Sequence, residues 1–328
     1  MQKKEGCNLE TNERDWKDEY VEKMFGIHST EEEIQNALSL KDQHIPKSLY
    51  KYRAFDKFSV QNFREQTLWF NLAKKMNDPY DSALTVNQEK IVDMAYKAAG
   101  REEMVREELA KLKSLGLSED KLKESEEEFH ALLQEEREKI NSNYEKNQDK
   151  ILGIIQDSTF ISCFSERNDS MLMWSHYTDN HQGFCLEYEF MKPENIEIEP
   201  IFKEALNPII YSEEMFDMSE YILYAAKTKQ AWSQRVAANP VICKSKEWEY
   251  EKEWRLVQFH QDREEGYPVR FFKPKAIYLG TKIKEKDKAD LMLIAKSKKV
   301  DVYQMKMAHN AFKVIPYPEL IFSEEVTK

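Results

Sequence analysis

The sequence predicts an α+β fold: a mixed, mainly antiparallel sheet with helices packed around it and an inserted antiparallel helical hairpin. Three observations carry this reading. Short runs rich in β-branched and aromatic residues, such as "SLYKYRAF", "TLWFN", "STFISCF" and "FCLEYEF", are bounded by turn residues. These strands first follow one another through turns and then, toward the C-terminus, alternate with helices. Between them, half of residues 101–150 are charged, and no proline occurs between Pro79 and Pro193, the composition of a solvated helical insertion.

Taken in order, residues 1–45 read as a charged helical lead-in. It holds the patterns "RDWKDEYVEKMF" and "TEEEIQNAL", the second opened by Ser29 or Thr30 as a cap. Residues 46–328 read as one α+β domain. It opens with the strand "SLYKYRAF", the helix "DKFSVQNFREQ" with Phe58 and Phe63 on one side, the strand "TLWFN" and the turn "NDPYDS". The domain is interrupted at 86–150 by a charged arm, best fitted by two helices about "GLSED" with a narrow apolar stripe that includes Met104, Leu109, Leu112, Leu115, Leu122, Phe129, Leu132 and Leu133. Strands resume at "STFISCF". Next come "NDS" capping "MLMWSHYT" and the strand "FCLEYEF", then a mostly helical stretch over 213–236. The last elements are "KEWEYEKEWRLVQF", "VRFFKPKAIYLG", a helix over 284–296 and "KVDVYQMKM".

A chain of 328 residues, 41% hydrophobic and 12% aromatic, can bury a core. A net charge of -11 argues against the broad basic surface of a non-specific nucleic-acid binder, while leaving room for a local basic cleft. Cys7, Cys163, Cys185 and Cys243 form no C-x-x-C pair, which points away from a zinc knuckle and toward a reducing compartment. No apolar leader and no membrane-length apolar run is present, so the expected location is the cytoplasm, with no membrane partner.

The chemistry concentrates in "KEWEYEKEWRLVQF", where four glutamates, two tryptophans, a tyrosine and an arginine fall within nine residues. Read as one strand, it places Trp248, Tyr250, Trp254 and Leu256 on one face and Glu247, Glu249, Glu251, Glu253 and Arg255 on the other. Val257 and Phe259 continue the second face, so Glu253 and Arg255 are expected at the partly covered edge of a cleft. In "LYKYRAF", Leu49, Lys51, Arg53 and Phe55 share a face, and an arginine so flanked faces a partner anion or a carboxylate. Asn77 and Asp78 lie in the turn "MNDPYD". His176 and His181 are five apart, which is not a metal-binding helix spacing, and His176 stands as a hydrogen-bond donor to substrate or as a structurally satisfied ring. Hydrolase-elbow, P-loop and dinucleotide-fold glycine motifs are absent.

"LYKYR", "LWFNLAKKMNDPYD", "ISCFSERNDSMLMWSHYTDNHQGFCLEYEF" and "WEYEKEWRL", in that order over Leu49 to Leu256, resemble a widespread bacterial family described only as a domain of unknown function, DUF family 2971. More distantly, the order of Arg53, the "LWFN" strand and Glu251-Lys252-Glu253 resembles the ADP-ribosyltransferase superfamily. Members of that superfamily carry an Arg or His on a first strand, an aromatic on a second and a catalytic Glu-x-Glu on a later one. This chain departs from the pattern in having Phe70-Asn71 where many members have an aromatic followed by Ser or Thr, and in the inserted arm.

The resemblance implies an enzyme that cleaves NAD as its substrate and transfers ADP-ribose to a protein, nucleic-acid or small-molecule acceptor, or to water, as a bacterial toxin or phage-defence effector. Glu253 would stabilise the oxocarbenium-like transition state, and Glu251, about 7 Å away on the same strand face, would orient the nucleophile. Arg53 would hold the pyrophosphate, and Tyr52 or Trp69 would stack on a ring. Asn77, Asp78, His176 and Arg255 complete the expected binding set. Two other readings remain open: a non-enzymatic module that binds a protein partner through the 86–150 arm, and a Mg-dependent nuclease using Asp78, Asp81, Glu251 and Glu253.

Overall fold

The computed structural model describes residues 15–98, 100–190, 199–229 and 234–322. The chain divides into two compact units, residues 1–45 and 46–328. In the first, α1 (Trp16–Phe25) and α2 (Glu31–His44) pack together. The α2 start is closed by a reciprocal cap. The Thr30 hydroxyl accepts from the Glu33 N–H, and the Glu33 carboxylate accepts from the Thr30 N–H at 2.8 Å. Trp16 stacks on His44 with ring centroids 4.2 Å apart, tying the two helices at their open ends.

The second unit begins with β1 (Leu49–Arg53), α3 (Lys57–Glu65), β2 (Thr67–Leu72) and the short β3 (Leu84–Thr85). The arm follows as α4 (Gln88–Ala98), α5 (Arg101–Ser114) and α6 (Glu119–Ser158). After it come β4 (Thr159–Ser165), α7 (Met171–Tyr177), β5 (Phe184–Tyr188), α8 (Glu199–Ala205), β6 (Leu206–Pro208), β7 (Ile210–Ser212) and β8 (Phe216–Asp217). The chain continues through α9 (Ser219–Thr228), α10 (Gln234–Ala238), β9 (Cys243–Ser245), β10 (Glu253–Phe259), β11 (Tyr267–Arg270), β12 (Ala276–Leu279), α11 (Glu285–Lys298), β13 (Asp301–Met307) and β14 (Val314–Leu320). The class is α+β. Ten strands form one sheet in the order β11-β2-β4-β1-β5-β12-β13-β14, with β10 on β4 and β6 on β10. Within it only β12 and β13 run parallel, joined by α11 as a crossover.

The sheet splits beside β4. One edge of β4 is occupied from end to end by β10, from Glu253 opposite Ser165 to Phe259 opposite Thr159. The other edge is shared: β1 touches it only at Ser165, and β2 only at Phe160 and Ile161. Between these contacts β1 and β2 diverge, and among the described residues no strand pairs with Ser162, Cys163 and Phe164 on that side. Close approach on the far edge of β1 is set by Gly183, where a Cβ would stand 3.0 Å from the Ala54 Cα and closer still to the Arg53 carbonyl.

Several expectations are corrected. The arm is three helices, and α6 runs 40 residues, past Lys150, to feed directly into β4. Helix α4 belongs to the body, since Ile91 and Val92 are buried. Phe58 is 71% exposed while Phe63 is buried, because five helical positions turn side chains well apart. The 213–236 stretch is helical only in part, with β8 inside it and residues 230–233 outside the described residues. Finally, Lys246–Glu251 is a 3-10 helix rather than strand, opened by the Ser245 side chain and ended by Lys252 in the left-handed region at φ 43°. Strand alternation therefore starts only at Glu253.

Candidate functional site

A cavity of about 460 Å³ opens where β1 and β2 diverge. Its walls come from β1, Trp69 and Asn71 of β2, the loop at Lys75–Asn77, the unpaired part of β4, α7, and three charged groups from the C-terminal half, Lys244, Glu251 and Glu253. Seven of the nine expected site residues border it: Tyr52, Arg53, Trp69, Asn77, His176, Glu251 and Glu253.

Glu251 and Glu253 are brought together by a turn, not by strand alternation. The Ser165 hydroxyl donates to the Glu251 carbonyl at 2.6 Å and the Glu166 N–H to the Lys252 carbonyl, which pins the left-handed Lys252 against the end of β4. Both carboxylates then face the same ammonium. Lys244 Nζ donates to Glu251 Oε2 at 2.6 Å and to Glu253 Oε2 at 2.9 Å, and lies 4.8 Å from the Trp248 ring centre. Tyr177 Oη, from α7, donates to Glu251 Oε1 at 2.6 Å.

Glu253 also accepts from Arg255 Nε at 2.7 Å and Nη2 at 3.1 Å. Burial works against its charge, but the Arg255 guanidinium and the Lys244 ammonium outweigh burial and hold its carboxyl well below the usual carboxylate range. Glu251 shifts the other way. Burial and the adjacent Glu253 carboxylate push it up against the pull of Lys244. One carboxylate is thus kept ionised and its neighbour is pushed toward the proton-bound form, a division that suits one group to stabilise positive charge and the other to exchange a proton.

Arg255 and Asp78 are not cavity residues. Arg255 is fully buried, with Nη1 and Nη2 each 2.7 Å from one oxygen of Asp81 and Nη1 also donating to the Val241 carbonyl. Its planar fork is spent on an internal carboxylate, so its place is in the core rather than on a ligand. Asp78 sits in the turn before β3, where Oδ1 accepts from the Tyr80 N–H at 2.9 Å while Oδ2 is buried and has no hydrogen-bond partner among the described residues. Tyr52 borders the cavity but is committed to packing. Its ring meets Trp174 edge-on at 5.3 Å and its hydroxyl donates to the Arg167 carbonyl. Glu253 is 3% exposed, deeper than the partly covered edge expected of it.

The Arg53 side chain has no hydrogen bond or ion pair among the described residues; it is partly covered, and burial lowers its pKa while Tyr188, Cys163 and Asp56 pull the other way. Trp69 is half-buried, and Asn77 and His176 are exposed at the cavity margin. Lys51, Tyr177 and Lys244 are among the lining residues that lie outside the expected site set. Lys51 had a signal, its shared strand face with Arg53. Lys244 had none, because its role depends on β9 being laid parallel to β7, against which Tyr211 pairs with Lys244. Among the described residues no three His, Cys, Asp or Glu side chains gather as a ligand set for a metal ion. Three of the four carboxylates of the nuclease reading, Asp81, Glu251 and Glu253, instead face Lys244 or Arg255. No helix among the described residues is long and apolar enough to cross a membrane.

A family model described as Protein of unknown function (DUF2971) matches residues 173–256. The matched stretch holds His176, Tyr177, Lys244, Glu251, Glu253 and Arg255, and excludes β1 and β2. No curated protein and no solved structure matches the chain.

Proposed function

We propose that the cavity binds NAD and that the chain cleaves the bond between nicotinamide and ribose, passing ADP-ribose to water or to a protein or nucleic-acid acceptor. The observation that carries this reading is the pairing, in one cavity, of Arg53, whose side chain has no ion-pair partner among the described residues, and a carboxylate held ionised, Glu253. As the C–N bond breaks, its electron pair leaves with nicotinamide and positive charge grows on the ribose carbon. A fixed carboxylate in a water-poor site stabilises that charge at no reorganisation cost. Arg53 takes the diphosphate through its fork, the half-buried Trp69 offers a ring face, and Glu251 orients the attacking hydroxyl and accepts its proton. A chain with this activity would serve as a toxin or phage-defence effector.

The test is nicotinamide release by the purified full chain, with and without cell extract as acceptor. Wild type releases nicotinamide with time, and Glu253→Gln loses about a hundredfold or more in rate at a temperature where it remains folded. A wild type that never consumes NAD with any extract overturns the reading. A second reading, a partner docked on the arm, is favoured by Met104, Leu115 and Leu132, which are 54%, 69% and 61% exposed on α5, the α5–α6 turn and α6.

A further inference from the structure

We infer that Lys51 and Arg53 form a two-cation seat for a diphosphate group, and that Lys51 takes up a proton as the anion binds. The inference rests on the NAD reading for the choice of a diphosphate, and its test separates the two.

The first ground is a contrast with Lys244 and Arg255, the other buried cations described in the second unit. Lys244 pairs with Glu251 and Glu253, and Arg255 with Asp81 and Glu253. Lys51 is 5% exposed and Arg53 partly covered, yet neither has a carboxylate within ion-pair distance among the described residues. Covered charge without a counter-charge is costly, and in a chain of net charge -11 carboxylates are plentiful. The two cations stand two residues apart on one face of β1 and border the cavity at the sheet split. An anion entering there meets both, with Lys75 bordering the same cavity.

The second ground is hydrogen-bond arithmetic at Lys51. Its Nζ donates to Ser162 Oγ at 2.8 Å and to the Cys163 carbonyl at 2.7 Å. Those two bonds use both hydrogens of a neutral amine and leave its lone pair unused, while an ammonium has a third hydrogen to give. Burial, with the Arg53 charge next, lowers the Lys51 pKa well below its ordinary value, and Cys163 on β4 and Glu253 on β10 pull the other way. A bound diphosphate adds negative charge beside this group, favours the ammonium and draws a proton from solution. Affinity should therefore fall as pH rises.

The experiment is isothermal titration of the full chain with ADP-ribose, whose diphosphate is a diester and does not titrate in this range, at neutral and at alkaline pH, in two buffers of different ionisation enthalpy. The expected result is proton uptake by wild type and binding that weakens by up to about tenfold per pH unit on the alkaline side. Lys51→Met, which keeps the length of the stem, should bind at least about tenfold more weakly, the loss of one charged hydrogen bond, and without proton uptake. Absence of ADP-ribose binding, binding without buffer dependence in wild type, or unchanged affinity in a folded Lys51→Met each overturns the inference. Should that variant not fold, the buffer dependence of wild type decides. ADP-ribose binding with uptake in a chain that never cleaves NAD leaves the seat standing and removes the NAD reading alone.

Discussion

Replacing Glu253 by glutamine should cost stability as well as activity, and the size follows from what its carboxylate touches. It is 3% exposed and accepts from Lys244 Nζ and from Nε and Nη2 of Arg255. Glutamine offers one acceptor oxygen and turns an N–H₂ toward a cation, so one cation faces a donor. Removing one partner of a buried pair costs about 3–5 kcal/mol when the other is left uncompensated. Here Lys244 keeps Glu251, and Arg255 keeps Asp81 and the Val241 carbonyl, so the low end applies, about 3 kcal/mol. At about 2 °C per kcal/mol for a unit of this size, melting should fall by about 6 °C.

The pH dependence tests the cause. The folded-state pKa of Glu253 is depressed, so the unfolded chain takes up this proton first as pH falls below about 4.3. The contribution is fully present above that value and is lost as pH falls toward the folded pKa. Melting curves of both proteins from neutral to acid pH should show a gap that is constant at neutral pH and narrows under acid. A variant that melts with wild type at neutral pH, or a gap that widens under acid, refutes the argument that Lys244 and Arg255 hold this carboxylate ionised.

Tyr177→Phe removes the 2.6 Å bond to Glu251 and should cost about 2 kcal/mol in denaturant unfolding, the worth of a hydrogen bond to a charged group. Because that bond lowers the Glu251 pKa, the variant should also raise the pH below which Glu251 binds its proton, readable as a shifted pH profile of nicotinamide release. Gly183→Ala should lower stability by about 1–3 kcal/mol, the cost of overpacking, since its Cβ meets the backbone of Arg53 and Ala54 rather than a side chain that can yield. By moving Arg53 it should weaken ADP-ribose binding as well. Excising residues 101–136 with a short linker should leave cooperative melting intact. Arg101 pairs with Glu136 and Arg137 with Asp93, so the cut falls where α4 and α6 lie side by side. Excising 86–150 instead should collapse the fold, because it removes the buried Val86, Ile91, Val92 and Tyr96.

Legibility in the sequence followed the range of the forces involved. The strand period put Lys51 and Arg53 on one face of β1, and the cap signals at Thr30 and Ser170 marked two helix starts. Both are set by sterics and hydrogen bonds among near neighbours in the chain. The α+β class was legible for the same reason. The same local rule failed at Glu251. There the backbone leaves the strand because the Ser165 hydroxyl and the Glu166 N–H capture the carbonyls of Glu251 and Lys252, and those partners lie 86 residues away at the Ser165–Glu251 bond. Arg255 looked like a ligand-binding side chain until the fold placed Asp81, 174 residues away, across its fork. Local pattern states which face a side chain occupies. Only the tertiary structure states what stands opposite, because charge pairing and burial are decided by elements distant in sequence, and that is how two carboxylates, Lys244 and Arg53 came to border one cavity.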